Sequence, residues 1–177
     1  MNVPKRLLAM VALVAAGEMI FSLPFHLPRY LRPSVLEGFN LTNSELGDIF
    51  AVYGVTAMLA YFPGGLIADK FNPKILIIIS LVATAIGGIY LATFPGVVGL
   101  AILYAYWGIT TIFLFWAGLM KSTREWGGDA AQGRAFGFLE GGRGLAAAVF
   151  ASIAVWLFAQ GIPTLEIINQ ADRRQAL

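Results

Sequence analysis

Residues 40–74 read NLTNSELGDIFAVYGVTAMLAYFPGGLIADKFNPK, and this stretch decides the fold. Thr42-x-x-Glu45 has the form of a capping box, in which the hydroxyl and the carboxylate satisfy each other's free backbone N–H groups and start a helix. Between Asp48 and Asp69 lie 20 residues with no charge, the length that carries a helix across a hydrocarbon layer about 30 Å thick. Asp69, Lys70 and Lys74 crowd the far end. Gly64 and Gly65, just before them, permit close backbone approach between helices. An uncharged helix bounded by charges at both ends reads as a membrane span.

The flanking sequence repeats the pattern. Between Arg6 and Arg29 lie 22 residues whose only acid is Glu18. From Ile75 to Met120 there are 46 uncharged residues, enough for two spans with a turn at Thr93-Phe94-Pro95-Gly96, where Pro-Gly is a strong turn signal. Between Arg143 and Glu166 lie 22 more uncharged residues, on a helix that begins earlier, near Ala135. The expected spans are 7–27, 46–68, 75–94, 97–120 and 136–160, and the fold class is an all-α integral membrane protein, a multi-span helical bundle. Composition agrees. Of 177 residues, 12% are charged and 58% hydrophobic, against about 25% charged in a soluble domain. So few charges do not cover a water-exposed surface. Lys5 and Arg6 before an apolar run resemble a secretory leader, but the run passes Glu18 without a small-x-small cleavage site and four more spans follow.

Orientation follows from Lys and Arg, which concentrate on the cytoplasmic side. With the amino terminus inside, the cytoplasmic set is Lys5, Arg6, Lys70, Lys74, Lys121, Arg124, Arg134 and Arg143, against Arg29, Arg32, Arg173 and Arg174 outside. Eight against four favours an amino terminus in the cytoplasm of a cell carrying the protein in its inner membrane. The tail 161–177 then lies outside, and its polar end reads as the approach to a further span, so a truncated chain is expected.

Gly65-x-x-x-Asp69-Lys70-x-Asn72-Pro73-Lys74 resembles the loop after the second helix of major facilitator superfamily transporters, G-x-x-x-D-[RK]-x-G-[RK]-[RK]. Asp69 sits at a helix carboxyl end, where the helix dipole disfavours negative charge. A partner is therefore expected from Lys70, Lys74 or the amino end of another helix. The resemblance implies that this partnership clamps the two halves of a carrier and is released as the carrier rocks. Asn72 stands where the family has Gly, a substitution compatible with a left-handed backbone, and Pro73 replaces a basic residue. Residues 121–137, KSTREWGGDAAQGRAFG, are similar to the family's loop between the fourth and fifth helices. The resemblance covers residues 7 to 160, the first five of twelve helices. It implies the family's amino-terminal half lacking the sixth helix: one inverted three-helix repeat and two-thirds of the next. The competing reading of the first motif is an interfacial charge cluster that ends two helices.

An acid inside a span costs about 2.5–3.5 kcal/mol on insertion scales, so Glu18 should face protein or a water-filled cavity. Glu18, Ser22 and His26 recur every four residues as a polar stripe, and Pro24 removes a hydrogen bond to the Ile20 carbonyl and should kink the outer end. Two roles fit Glu18, solute binding or proton coupling on one side and structural pairing on the other; His26 reads as an interfacial residue. In the family the first and fourth helices line the cavity. Tyr104, Trp107 and Thr111, with Thr110 beside them, could there stack on and hydrogen-bond a polar substrate, although aromatic stripes also serve packing. Trp116 and Trp126 read as interface anchors. Gly137, Gly141, Ala148 and Ser152 form a small-residue face suited to close packing. Arg143 can pair with Glu140 one turn away or reach an anionic substrate from the cytoplasmic side.

There is no Cys and one His, which removes disulfides, thiolate sites and multi-histidine metal sites. No phosphate loop or nucleophile–base set is present, and Gly141-Gly142-Arg143-Gly144 is too short for a nucleotide loop. No enzyme activity, cofactor or nucleic-acid partner is expected. The leading reading is a secondary active transporter of a small polar solute, working by alternating access and coupled to H+ or Na+. The alternative is a small non-transporting membrane scaffold or assembly protein.

Overall fold

A computed structural model describes the backbone of residues 3–175 and the side chains of residues 4–157 and Gln160. Helix α1 (Val3–Met19) leads into a wide turn at Ser22–His26 and a short helix α2 (Leu27–Tyr30). The two apolar parts, Pro4–Met19 and Ser22–Tyr30, meet at 43° and together form a broken first span. The break has a covalent cause. Pro24 has no N–H to offer the Ile20 carbonyl, and the ladder widens so that His26 N–H bonds to Phe21 O at 3.1 Å. A further short helix, α3 (Arg32–Gly38), connects to α4 (Asn43–Lys70).

The α4 capping box is formed. Thr42 Oγ1 accepts from the Glu45 N–H at 3.2 Å, and Glu45 Oε2 accepts from the Thr42 N–H at 2.7 Å. Helix α5 (Pro73–Leu91) restarts the chain two residues after α4 ends. Asn72 is extended (φ −67°, ψ 120°) and its side chain accepts from the Lys74 N–H. Asn72 therefore serves as an N-cap and makes no use of the left-handed backbone that Asn tolerates, with Pro73 at the first helical position, where a missing N–H costs nothing. Helices α6 (Val97–Ile109) and α7 (Ala117–Gly127), joined through a second wide segment at Thr110–Trp116, make one long rod. Helix α8 (Gln132–Gln175) follows and continues well past residue 160. The expected tail at 161–177 therefore falls where only the backbone is described, as far as Gln175. Its polar residues do not end the helix, because Glu, Gln and Arg are good helix formers.

The α6–α7 rod is central: α4 and α5 pack along it, and α1 packs against both α8 and α7. One apolar core, with Leu46, Ile49, Leu103 and Trp107, lies between α4 and α6. Another, with Met10, Ile77, Phe115 and Leu139, joins α1, α5, α7 and α8. Two glycines set the closest approach. A Cβ on Gly64 would strike the carbonyl oxygen of Phe113, and one on Gly108 would lie 2.8 Å from the Tyr53 carbonyl oxygen. The exterior is apolar, with Phe62 84% and Ile89 71% exposed, whereas Glu18, Thr84, Thr111 and Thr123 are buried. Polar groups inside and apolar ones outside is the arrangement of a bundle solvated by lipid.

The small-residue face of α8 does not pack as expected among the described residues: a Cβ on Gly137 or Gly141 would meet nothing, and Ala148 and Ser152 are exposed. The close contact is instead one residue over, where a Cβ on Gly142 would lie 2.7 Å from a Val14 methyl.

Candidate functional site

Glu18 ends the straight part of α1 and is 4% exposed. The wide turn that follows changes the register of the expected stripe. His26 places its Nε2 3.0 Å from Glu18 Oε1. Ser22 lines an apolar groove with Met19, Phe150 and Leu157, which His26 also borders. Its hydroxyl meets only the Met19 sulfur, at 4.0 Å. Arg143 of α8 completes the cluster, with Nε 3.7 Å from Glu18 Oε2. It lies 11 residues into α8, about 16 Å along the axis at 1.5 Å per residue. That corrects its placement among the cytoplasmic charges: it stands at mid-span.

Arg143 is held from three directions. Its Nη1 donates to both carboxylate oxygens of Glu140 at 3.0 Å. Its guanidinium carbon is 5.5 Å from the Trp116 ring and 5.8 Å from the Phe21 ring, within cation–π range. Its Nε is buried and makes no hydrogen bond. Trp116 thus contacts a half-buried cation on one side and borders the cavity beside Asp69 and Lys121 on the other. Gly17 makes the crossing possible, since a Cβ there would lie 3.0 Å from Arg143 Cδ. Glu18, His26 and Arg143 line a cavity of about 540 Å³ together with Phe21, Phe25, Phe50, Arg29 and Arg32.

Tyr104, Trp107 and Thr111 lie elsewhere. All three are buried, and each is engaged internally. Tyr104 OH donates to the Pro24 carbonyl at 3.0 Å. That carbonyl has no donor four residues on, because Pro28 lacks an N–H. Trp107 Nε1 donates to the Thr84 carbonyl at 3.0 Å. Thr111 Oγ1 donates to the Trp107 carbonyl at 2.7 Å and lies 2.6 Å from the Tyr53 hydroxyl. The aromatic and hydroxyl stripe satisfies buried backbone groups and does not reach the cavity.

At the end of the bundle that holds Lys5 and Arg6, the loop motif is exposed. Gly65, Asp69, Lys70 and Lys74 are on the surface, and a Cβ on Gly65 would meet nothing. Asp69 makes no ion pair among the described residues, so neither Lys70 nor Lys74 is the partner expected. The helix end is closed by Lys121, whose Nζ donates to the carbonyls of Ala68 and Phe71 at 2.8 and 3.2 Å, as a cation should at a helix carboxyl terminus. Asp69, Lys121, Arg124 and Glu125 line a second cavity of about 370 Å³. Trp126 does tie the same end, donating from Nε1 to the Arg6 carbonyl at 2.7 Å.

Sequence reasoning missed Gly17, Lys121, and Arg29 with Arg32 as cavity residues. The pair Arg29-x-x-Arg32 carries a usable signal, two guanidinium groups about one turn apart beside prolines.

The sequence model of the Major Facilitator Superfamily matches residues 7–168. The chain is 34% identical over 146 residues to the inner membrane protein YihN of Escherichia coli K12, covering 82% of this chain and 34% of that protein. It is 28% identical over 163 residues to the inner membrane protein YqcE of the same organism, covering 92% and 38%. A Mycoplasma pneumoniae protein described as an uncharacterized MG294 homolog is 24% identical over 165 residues, covering 88% and 34%. The chain spans about a third of the length of these curated relatives. No solved structure matches it. The buried-acid bundle with its loop motif thus belongs to the major facilitator superfamily.

Proposed function

We propose that these five spans work in a secondary active transporter that moves a small polar solute by alternating access, with Glu18, His26 and Arg143 at the centre of the solute path. The observation that carries the reading is the 540 Å³ cavity, in which a carboxylate, an imidazole and a guanidinium meet inside an otherwise apolar bundle. Its volume is that of a small-molecule site, and ionisable groups within a span mark substrate or ion pathways.

Coupling to H+ is favoured over Na+ by the Glu18–His26 contact, because a carboxylate and an imidazole 3.0 Å apart can hold and pass a proton. Protonating Glu18 removes its attraction for Arg143, which then keeps Glu140 as its charged partner among the described residues and can turn its remaining N–H groups to an anionic solute. Release of the solute restores the starting contacts. Movement of the spans past one another would be governed by the motif around Gly65, Asp69, Lys70 and Lys74, and by the Lys121 cap that closes α4 beside it.

The localisation proposed is the inner membrane, the compartment in the names of both E. coli relatives. An amino terminus in the cytoplasm is supported by charge placement. Lys5, Arg6, Lys70, Lys74, Lys121, Arg124 and Arg134 gather at one end, with Arg29 and Arg32 at the other. The test is uptake of a solute panel into proteoliposomes holding the carrier that contains these spans, with an imposed proton or sodium gradient. Saturable uptake driven by the proton gradient is expected. Uptake of no solute under either gradient would defeat the transporter reading.

A further inference from the structure

The cavity beside Glu18 has an outer mouth that the coupling mechanism leaves unused. Arg29 on α2 and Arg32 at the start of α3 both line it. Neither is within ion-pair distance of a carboxylate among the described residues. Arg32 donates from Nε and Nη2 to the amide oxygen of Asn43, at 3.0 and 2.8 Å, which fixes its direction without neutralising it. Arg29 is exposed, and its guanidinium carbon lies 5.9 Å from the Tyr30 ring. The one lining acid, Glu18, already faces His26 and Arg143. Glu18 and the neighbouring Glu140 are both engaged by Arg143, so the excess positive charge sits with Arg29 and Arg32 at the mouth, and low-dielectric walls focus such a field on an entering ion. The rest of the wall is aromatic, with Phe25 stacked on Phe50 at 5.6 Å and Phe21 beside them.

We infer that the solute is a small organic anion, whose carboxylate or phosphate is met at the mouth by Arg29 and Arg32 and whose apolar part lies against Phe25 and Phe50. This deepens the transporter reading and rests on it for the direction of travel. Planar guanidinium groups suit both oxyanions, which they bind through paired N–H donors. Arg143 lies deeper in the same cavity, so an anion can pass from the outer pair to the inner cation without leaving positive surroundings.

Equilibrium dialysis on the purified carrier that contains these spans, in a non-ionic detergent, tests this directly. The probes are phenylacetate and phenyl phosphate, with phenylacetamide as the neutral counterpart. At least one anion should bind about tenfold or more tightly than the amide, a margin set by charge-assisted hydrogen bonding. Arg29→Gln with Arg32→Gln should remove that margin. Arg29→Gln alone alters an exposed side chain with no hydrogen bond among the described residues, so it keeps the fold and should lose part of the margin; Arg29→Lys should retain more of it. Equal binding of amide and anion, an unchanged margin in the double variant, or binding of neither anion overturns the inference. Equal binding would leave the carrier reading standing, since that depends on gradient-driven uptake.

Discussion

Replacing Gly64 with alanine should loosen the contact between α4 and the α6–α7 rod, whereas the same change at Gly65 should not. The added methyl at position 64 would strike the Phe113 carbonyl oxygen and lie 3.1 Å from its carbonyl carbon and 3.3 Å from its Cα. Ordinary carbon contacts are about 3.5–4.0 Å. The obstacle is backbone, which has no rotamer to change, so the two helices must separate along the seam. Overpacking of this kind costs about 1–3 kcal/mol, and the separation also loosens the Gly108 contact with Tyr53 further along. A methyl at position 65 meets nothing, and alanine is the better helix former. Unfolding in mixed micelles, followed by circular dichroism against the mole fraction of denaturing detergent, measures both variants. Gly64→Ala should unfold earlier than the parent, and Gly65→Ala should match or exceed it. A destabilised Gly65→Ala beside an unaffected Gly64→Ala would refute the packing argument.

Tyr104→Phe removes the donor to the orphaned Pro24 carbonyl, so stability should fall by about 1–3 kcal/mol in the same unfolding assay. Binding of the cavity probes should hardly change; a selective loss of binding would return Tyr104 to the solute path. Lys121→Met takes the cation from the carbonyls of Ala68 and Phe71. It should cost about 1 kcal/mol and speed hydrogen exchange at the Phe71 N–H, which bonds to the Ile67 carbonyl. Unchanged exchange there would show that the α4 terminus is closed by other means.

The bundle was legible in sequence because membrane spans are dictated by length and charge alone: 20 uncharged residues between Asp48 and Asp69 leave little choice. The site was legible only in part. Glu18 stood out because a buried acid is costly wherever it points. The period-four spacing put His26 on the same stripe, and the two do meet; the contact with Arg143 carried no such signal, because it depends on how α8 crosses α1. Arg143 was visible but misplaced in depth, because charge counting assigns an arginine to the nearer end of a span and says nothing of the interior acid that admits it. Gly17 was invisible for a related reason: its role depends on which residue of α8 crosses α1. The Gly64–Gly65 pair shows the limit of a motif. The resemblance points to Gly65, while the close approach to Phe113 belongs to its neighbour.

The most direct test of the account is proton-driven uptake by the Glu18→Gln variant of the carrier that contains these spans. Glutamine keeps the shape and removes both the charge facing Arg143 and the proton site facing His26. Measured in proteoliposomes across a range of external pH, uptake should fall at least about tenfold, as expected when a general acid–base group is lost, and what remains should no longer respond to the proton gradient. Uptake equal to the parent at every pH, with the gradient response intact, would contradict the placement of Glu18 at the centre of the mechanism.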